Sequence, residues 1–311
     1  MKKISIVTAC FNEEENVAEL ISRIRSVMTS ELPQYDYEHL FIDNCSEDRT
    51  VEILKGFAAE DKRIKIIVNS RNFGHVRSPV HGLFQATGDA IISVVADLQD
   101  PPEMIPKFVE KWEEGNDIVL AIKKDSEEHG LMFKIREMYY SLLAKLSEVK
   151  IFKNFTGFGL YDKKVMTALK KFHDPYPFFR GMIAEVGFKV EKIDYHQPIR
   201  LKGITKNNFY TLYDMGVLGI INNSKIPLRI AMFISVICGL ISFGTGIVYL
   251  VIKILNWDSM SMGIAPLVIG TAFMFSVLLF FIAIIGEYIG AIYTQVLNRP
   301  HVFEKERVNF D

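Results

Sequence analysis

Cysteine is scarce in these 311 residues. The three that occur, Cys10, Cys45 and Cys238, are widely spaced, with no CxxC and no Cys/His ligand spacing. That pattern indicates neither a disulfide framework nor a structural zinc site, and it fits a reducing, cytosol-facing environment. No GxGxxG run and no GxxxxGK[ST] run is present, which argues against a dinucleotide oxidoreductase and a P-loop NTPase. Disorder is excluded by 49% hydrophobic residues beside 23% charged ones. Charge is missing altogether from Ile230 to Ile252 and from Ser259 to Gly286. Each run exceeds the roughly 20 residues a helix needs to cross a bilayer, so two spanning helices are expected, at about 228–252 and 264–288.

What charge there is has an uneven distribution beneath a net value of −1. Residues 1–149 carry 18 Lys and Arg against 26 Asp and Glu, residues 150–229 carry 14 against 6, and the rest 4 against 5. The basic segment therefore directly precedes the most apolar part of the chain, where it would meet an anionic leaflet or a phosphate-bearing lipid rather than a nucleic acid. Lys225, Arg229, Arg299, Lys305 and Arg307 flank the apolar pair on one side, while its connector carries only Lys253. The positive-inside rule then places both termini in the cytoplasm, as in a multi-pass protein of the inner cell membrane. Met1 to Cys10 superficially resembles a lipoprotein leader, but its apolar stretch is short and Glu13-Glu14-Glu15 follows at once, so it reads as a first strand.

Strand-like runs at 4–11, 38–43, 64–68, 90–96 and 117–122 alternate with helical runs at 14–28, 47–59, 76–87 and 102–114. Such alternation predicts a mostly parallel α/β sheet with crossover helices, whose ligands sit at the carboxyl ends of the strands. Polar clusters fall at those ends: Asn12-Glu13, Asp43-Asn44, and Asp97 to Asp100. Further on, 132–147 and 208–223 have helical apolar stripes, the second reading equally as core or as an in-plane membrane-surface helix. The predicted organisation is a domain over 1–206, a juxtamembrane amphipathic helix over 207–227, two transmembrane helices within 228–293, and a cytosolic tail over 294–311.

The densest stretch is Val95-Ala96-Asp97-Leu98-Gln99-Asp100-Pro101-Pro102-Glu103. Asp97 at a strand end, with the Gln99 carbonyl oxygen, offers the hard oxygen donors that suit Mg²⁺ or Mn²⁺ on a diphosphate. Asp100 before two prolines, with Glu103 three residues on, has the composition of an N-cap and capping-box acid, so those two carboxylates have an equally good structural reading.

Across its whole length the chain resembles the membrane-anchored polyprenyl-phosphate glycosyltransferases of family 2, similar to dolichol-phosphate-mannose synthase and built on a GT-A fold. The motifs are Thr8 to Glu13, Ile42 to Ser46, Ser70 to His75, Asp97 to Glu103, Arg200 to Lys206 and Gly286 to Gly290. The resemblance implies a nucleotide pocket lined by Phe11, Glu13, Asp43 and Asn72, with Asp43 accepting a hydrogen bond from a uracil ring N–H. It implies Asp97 and Gln99 as metal ligands, Asp97 being the catalytic carboxylate, and Arg136, Arg200 and Lys206 as the grip on an acceptor phosphate. The implied reaction is metal-dependent, inverting transfer of a hexose from a nucleotide sugar, UDP-linked by preference, to a polyprenyl phosphate among the membrane lipids. A homo-oligomer is compatible with a single hairpin, although no motif specifies one.

Three positions depart from the family pattern. Val95 stands where the DxD triplet begins, Asn44 and Cys45 interrupt a VDDGS-like run, and Gly157 aligns with an aspartate often proposed as catalytic. A phosphate monoester, with a second pKa of about 6, is already ionised at pH 7 and needs no general base, so these departures do not preclude catalysis. A non-catalytic membrane scaffold is the rival from another class. A processive polysaccharide synthase would need a QxxRW signature, which neither Trp112 nor Trp257 supplies.

Overall fold

The computed structural model describes residues 1–124, 152, 154–198, 226–255 and 264–310. Val- and Ile-rich runs form the strands β1 (Lys3–Cys10), β2 (Asp36–Asp43), β3 (Ile64–Asn69), β4 (Ala90–Val95) and β5 (Ile118–Lys123). Helices α1 (Val17–Ser30), α2 (Thr50–Glu60), α3 (Gly74–Gln85) and α4 (Ile105–Glu113) fall between them in the predicted alternation. Beyond these lie β6 (Phe155–Asp162), α5 (Lys163–Leu169), α6 (Phe179–Glu185), β7 (Val190–Tyr195), the long helices α7 (Ile226–Leu255) and α8 (Ile264–Leu297), and β8 (Glu304–Val308). One eight-stranded sheet results, in the order β7-β5-β6-β4-β1-β2-β3-β8, with β1 to β4 parallel and β6 and β8 running against their neighbours.

The strands alternate their apolar side chains between two layers, as a sheet buried on both faces requires. Ile4 and Ile6 pack beneath α1, α2 and α4, among Leu20, Leu54 and Phe108. Val7, Leu40 and Ile42 pack on the other face against Leu83 of α3, Met166 of α5 and Ile183 of α6. In register, Cys10 lies beside Asp43 and Ala9 beside Val95. The loops that follow β1, β2 and β4 therefore open along one edge, and β3 adds a fourth because Asp43 also pairs with Val68.

The stretch that superficially resembles a leader is a buried strand, β1, as its short apolar run predicts. Both apolar runs are helical over their described residues, and at 1.5 Å per residue α7 and α8 extend roughly 45 and 51 Å. Apolar side chains stand exposed along both, from Phe233 (63%) in α7 to Val296 (76%) in α8. Among the described residues one stretch, Phe273–Leu297, is long and apolar enough to cross a membrane, and Ile230–Ile241 in α7 is a shorter apolar piece. The tail after α8 carries β8, which joins the outer edge of β3 and ends with the Asn309 amide donating to Ala58 O and Ile64 O, both at 2.8 Å. The stripes at 132–147 and 208–223 lie outside the described residues.

Candidate active site

Hydrogen bonds between side chains and backbone stitch the loops at the carboxyl edge of the sheet to one another. Asn12, at φ +55°, donates its N–H to Ser46 Oγ at 2.9 Å and accepts from Glu47 N on Oδ1 at 2.8 Å. Glu13 donates its N–H to Thr50 Oγ1 and accepts from Asn16 Nδ2 on its carboxylate, while its carbonyl opens α1. Asp43 is fully buried, taking Ser46 N at 2.9 Å, the Ser46 hydroxyl, and the Cys10 thiol. Burial pushes the Asp43 carboxyl above the usual aspartate range, and the Ser46 contacts pull it part of the way back.

An asparagine relay extends this network to the loop after β3. Asn44 Oδ1 accepts from Asn69 Nδ2 and Phe73 N, while its Nδ2 donates to Asn72 Oδ1 at 2.9 Å. Asn72 Oδ1 also takes Gly74 N at 2.8 Å, so this residue pins the start of α3 while remaining exposed itself. Phe11, Glu13, Asp43 and Asn72, four residues from three loops, thus share one edge, with Phe11 half-buried.

A cavity of about 200 Å³ opens beside them at the ends of β1 and β4, lined by His75, Val95, Asp100, Thr156, Gly157 and Arg180 among others. Val95 is 42% exposed, placing an apolar side chain at the rim where the resemblance implies the first acid of a DxD triplet. Leu98 adopts φ +62°, and that turn lets Asp97 Oδ1 accept from Gln99 N at 3.1 Å. Asp97 is half-buried and stands beside the cavity, outside its lining, yet close enough for its charge to act on Asp100.

Asp100 is not a helix cap. The 3₁₀ turn at Pro102–Met104 has Pro101 before it and no side-chain cap, and Glu103 grips Arg23 through two bonds of 2.9 and 2.7 Å. Proline at the first positions leaves few N–H groups to cap, so the carboxylate turns inward instead. It accepts from Val95 N at 3.2 Å and Tyr195 OH at 3.4 Å. Burial lifts its pKa to about 7, reinforced by Asp97 and opposed by the Val95 N–H.

Gly157 sits at φ +114°, where an added Cβ would meet nothing within 4 Å. There is room for a side chain, but the backbone occupies a region that L-residues avoid. Arg180 and Thr156 escaped the sequence reading. Arg180 lies in the short α6 among aromatic residues, with no periodic pattern to single it out; His75 lines the cavity from the first turn of α3 rather than from a loop. Arg136, Arg200 and Lys206 lie outside the described residues.

The donors available to a divalent ion are the Asp97 carboxylate and the Gln99 amide. Gln99 donates Nε2 to Pro198 O at 3.4 Å, which leaves Oε1 as a neutral oxygen donor. Among the described residues no group of three His, Cys, Asp or Glu side chains is gathered for a metal. One carboxylate and one amide oxygen fit an ion that takes its remaining ligands from substrate phosphates and water, as Mg²⁺ commonly does.

The model of glycosyl transferase family 2 matches residues 5–179, from β1 through this cavity to the first residue of α6. The chain is a family 2 glycosyltransferase. Its curated relatives extend the match to nearly the full length. A Bacillus subtilis protein described as the uncharacterized glycosyltransferase YkcC is 36% identical over 95% of this chain and 91% of its own. The SfII prophage-derived bactoprenol glucosyl transferase of Shigella flexneri is 35% identical over 98% of each. The prophage bactoprenol glucosyl transferase homolog of Escherichia coli K12 is 34% identical over 96% of this chain and 97% of its own. As a glycosyltransferase with a GT-A-like sheet, this protein is an enzyme, and the scaffold alternative is set aside.

Proposed function

We propose that this glycosyltransferase moves a hexose from a UDP-sugar to a polyprenyl phosphate at the cytosolic face of the membrane, inverting the anomeric carbon. The observation that carries the reading is the bare position at Gly157. A sugar hydroxyl must lose a proton to attack, and among the described residues the carboxyl group that lines the cavity, Asp100, is buried and already engaged by Val95 N and Tyr195 OH. A lipid phosphate brings its own ionised oxygen. Near-full-length likeness to two bactoprenol glucosyl transferases supports the same acceptor.

In this mechanism Phe11, Glu13, Asp43 and Asn72 hold the nucleotide at the shared edge. Asp97 and Gln99 would hold Mg²⁺ or Mn²⁺, which when bound offsets charge on the departing diphosphate. Arg180 in the cavity, with Arg136, Arg200 and Lys206, orients the acceptor phosphate in line with the anomeric carbon, so that positioning rather than proton removal supplies the rate. The exposed apolar lengths of α7 and α8 form a two-helix hairpin in the bilayer and keep the lipid acceptor at hand.

The test is to incubate purified protein with undecaprenyl phosphate, Mn²⁺ and a panel of radiolabelled sugar nucleotides. A labelled lipid and released UDP are expected with a UDP-hexose. Failure to label lipid with any donor overturns the acceptor. Full activity of Asp97→Ala, or in excess EDTA, overturns the metal site.

A further inference from the structure

A second cavity, of about 450 Å³, opens where α8 ends. The chain leaves that helix through Asn298, at φ +43°, and Arg299-Pro300-His301 then lead to β8. Lys170, His173, Arg299 and His301 line the cavity, with Phe84 and Leu169 among its apolar walls. Of the residues lining the active-site cavity only Pro177 is shared, so the two are separate compartments.

The cavity is rich in cations and poor in counter-charge. Among the described residues neither Lys170 nor Arg299 makes an ion pair or a side-chain hydrogen bond. Among the described residues of the lining the carboxylate is Asp174, which accepts from Tyr176 N, and Glu304, which bonds the lining His81 at 2.6 Å, is itself engaged by Arg307. His301 bonds the Asp174 carbonyl through Nε2 at 2.7 Å.

The cationic surface continues behind Arg299. Arg77 donates Nη2 to Pro300 O at 2.7 Å, while its Nε is buried with no acceptor. Arg71 and Arg77 both lie against the Phe73 ring, at 4.0 and 5.3 Å from its centroid, and neither has a carboxylate partner among the described residues. Burial disfavours the Arg77 charge, and Arg71 and Arg299 disfavour it further. Folding has gathered mutually repelling guanidinium groups here, an arrangement that an anion would relieve.

The position says which anion. Arg299 comes two residues after Leu297, the end of α8, whose Ile292 and Val296 side chains are exposed at 60% and 76%. With Phe273–Leu297 of α8 as the spanning stretch, two residues of chain reach roughly 7 Å past the helix end, into the headgroup layer. We infer that this cavity seats the phosphate of an anionic glycerophospholipid, gripped by Arg299 and Lys170, and so sets the height of the catalytic domain above the membrane. The inference rests on the membrane-hairpin reading of α7 and α8.

The test uses the full chain in neutral detergent micelles, following the thermal unfolding midpoint during titration with dioctanoyl phosphatidylglycerol, dioctanoyl phosphatidylcholine or inorganic phosphate. A saturable rise is expected with phosphatidylglycerol alone. Lys170→Gln with Arg299→Gln should weaken that binding roughly tenfold or more, while Lys170→Arg with Arg299→Lys retains it. The lipid-free midpoint and basal hexosyl transfer, expected unchanged in the Gln pair, guard against misfolding, and Arg299→Gln alone should still weaken binding severalfold. Equal response to both lipids, an unmoved titration in the Gln variants, or full stabilisation by inorganic phosphate overturns the lipid site. Carbonate extraction of cell membranes separately tests the hairpin: release of the chain would defeat that reading, whereas retention without phosphatidylglycerol binding would defeat this one alone.

Discussion

Glu38 and His39 are neighbours on β2, both buried, and both penalise acid. Burial would raise the Glu38 pKa, but hydrogen bonds from Lys3, Ser5, Thr87 and Lys65 outweigh it and hold the carboxyl at about 2. Against an ordinary value of 4.5 that difference is worth about 3 kcal/mol, present in full above pH 4.5 and lost as pH falls toward 2. His39, its ring 3.0 Å from Thr8 Oγ1, is held neutral by burial down to about pH 3, so the unfolded chain alone gains its proton below 6.5. Stability should therefore decline from pH 6.5 downward and steepen below 4.5. Glu38→Gln should lower the unfolding midpoint at pH 7 yet flatten the decline below 4.5, as thermal melts in detergent at pH 7, 5 and 3.5 would show. At Gly157 the expectation is different. Gly157→Asp restores the family's carboxylate but forces a side chain onto φ +114°, at a cost of about 1–3 kcal/mol, and should reduce rather than raise transfer to a lipid phosphate. A rate above the parent's would defeat the account of an acceptor that needs no base.

The elements of the first 123 residues were legible because each obeys one period: Ile4 and Ile6 against Val7 across β1, and Leu20, Ile21 and Ile24 along α1. Beyond them the signals fail for physical reasons. β6 contains Gly157 and Gly159, which weaken any strand signal, yet a Cβ on Gly159 would stand 2.3 Å from Val119 O, so the absent side chain is what lets β6 lie against β5. β8, Glu-Lys-Glu-Arg-Val, has no apolar alternation and is a strand because the edge of β3 is open to it. The site divides in the same way. Strand-end residues such as Asp43 and Asp97 were found from the sheet rule, while Arg180 and the inward turn of Asp100 depend on tertiary packing that no local pattern encodes. β8 also braces the edge proposed to hold the donor. Ser70 N donates to Phe303 O at 2.8 Å, Phe73 meets Phe303 at 6.3 Å, and His81 bonds Glu304 at 2.6 Å, so the loop carrying Asn72 lies between Asn44 and the tail. Asn309→Ala, which strips donors from two carbonyls, should cost about 1–3 kcal/mol in stability. Phe303→Ala should raise the donor KM several-fold with kcat nearly unchanged, measured by UDP release at saturating acceptor.

At the scale of the molecule, the same strand constrains how the chain meets the membrane. β8 is hydrogen-bonded to β3 in the sheet that β1 to β7 complete, so residues 198 and 304 belong to one folded body. A sheet does not straddle a bilayer, because strands open to lipid would leave backbone groups unpaired. On the proposed membrane reading, the chain between those residues crosses the bilayer an even number of times. α8 alone meets the length and hydropathy of a span among the described residues, and under the proposed hairpin α7 supplies the return that keeps β8 on the side of the sheet. The positive-inside rule, applied to the proposed hairpin through Lys305 and Arg307, predicts a cytoplasmic sheet. In a variant lacking Cys10, Cys45 and Cys238, a membrane-impermeant maleimide should label Ser259→Cys in spheroplasts that have intact inner membranes. It should label Lys305→Cys only after permeabilisation. Labelling of both before permeabilisation would reverse the orientation, and labelling of neither would mean that the two helices lie along the surface, leaving the lipid acceptor to reach the site by another route.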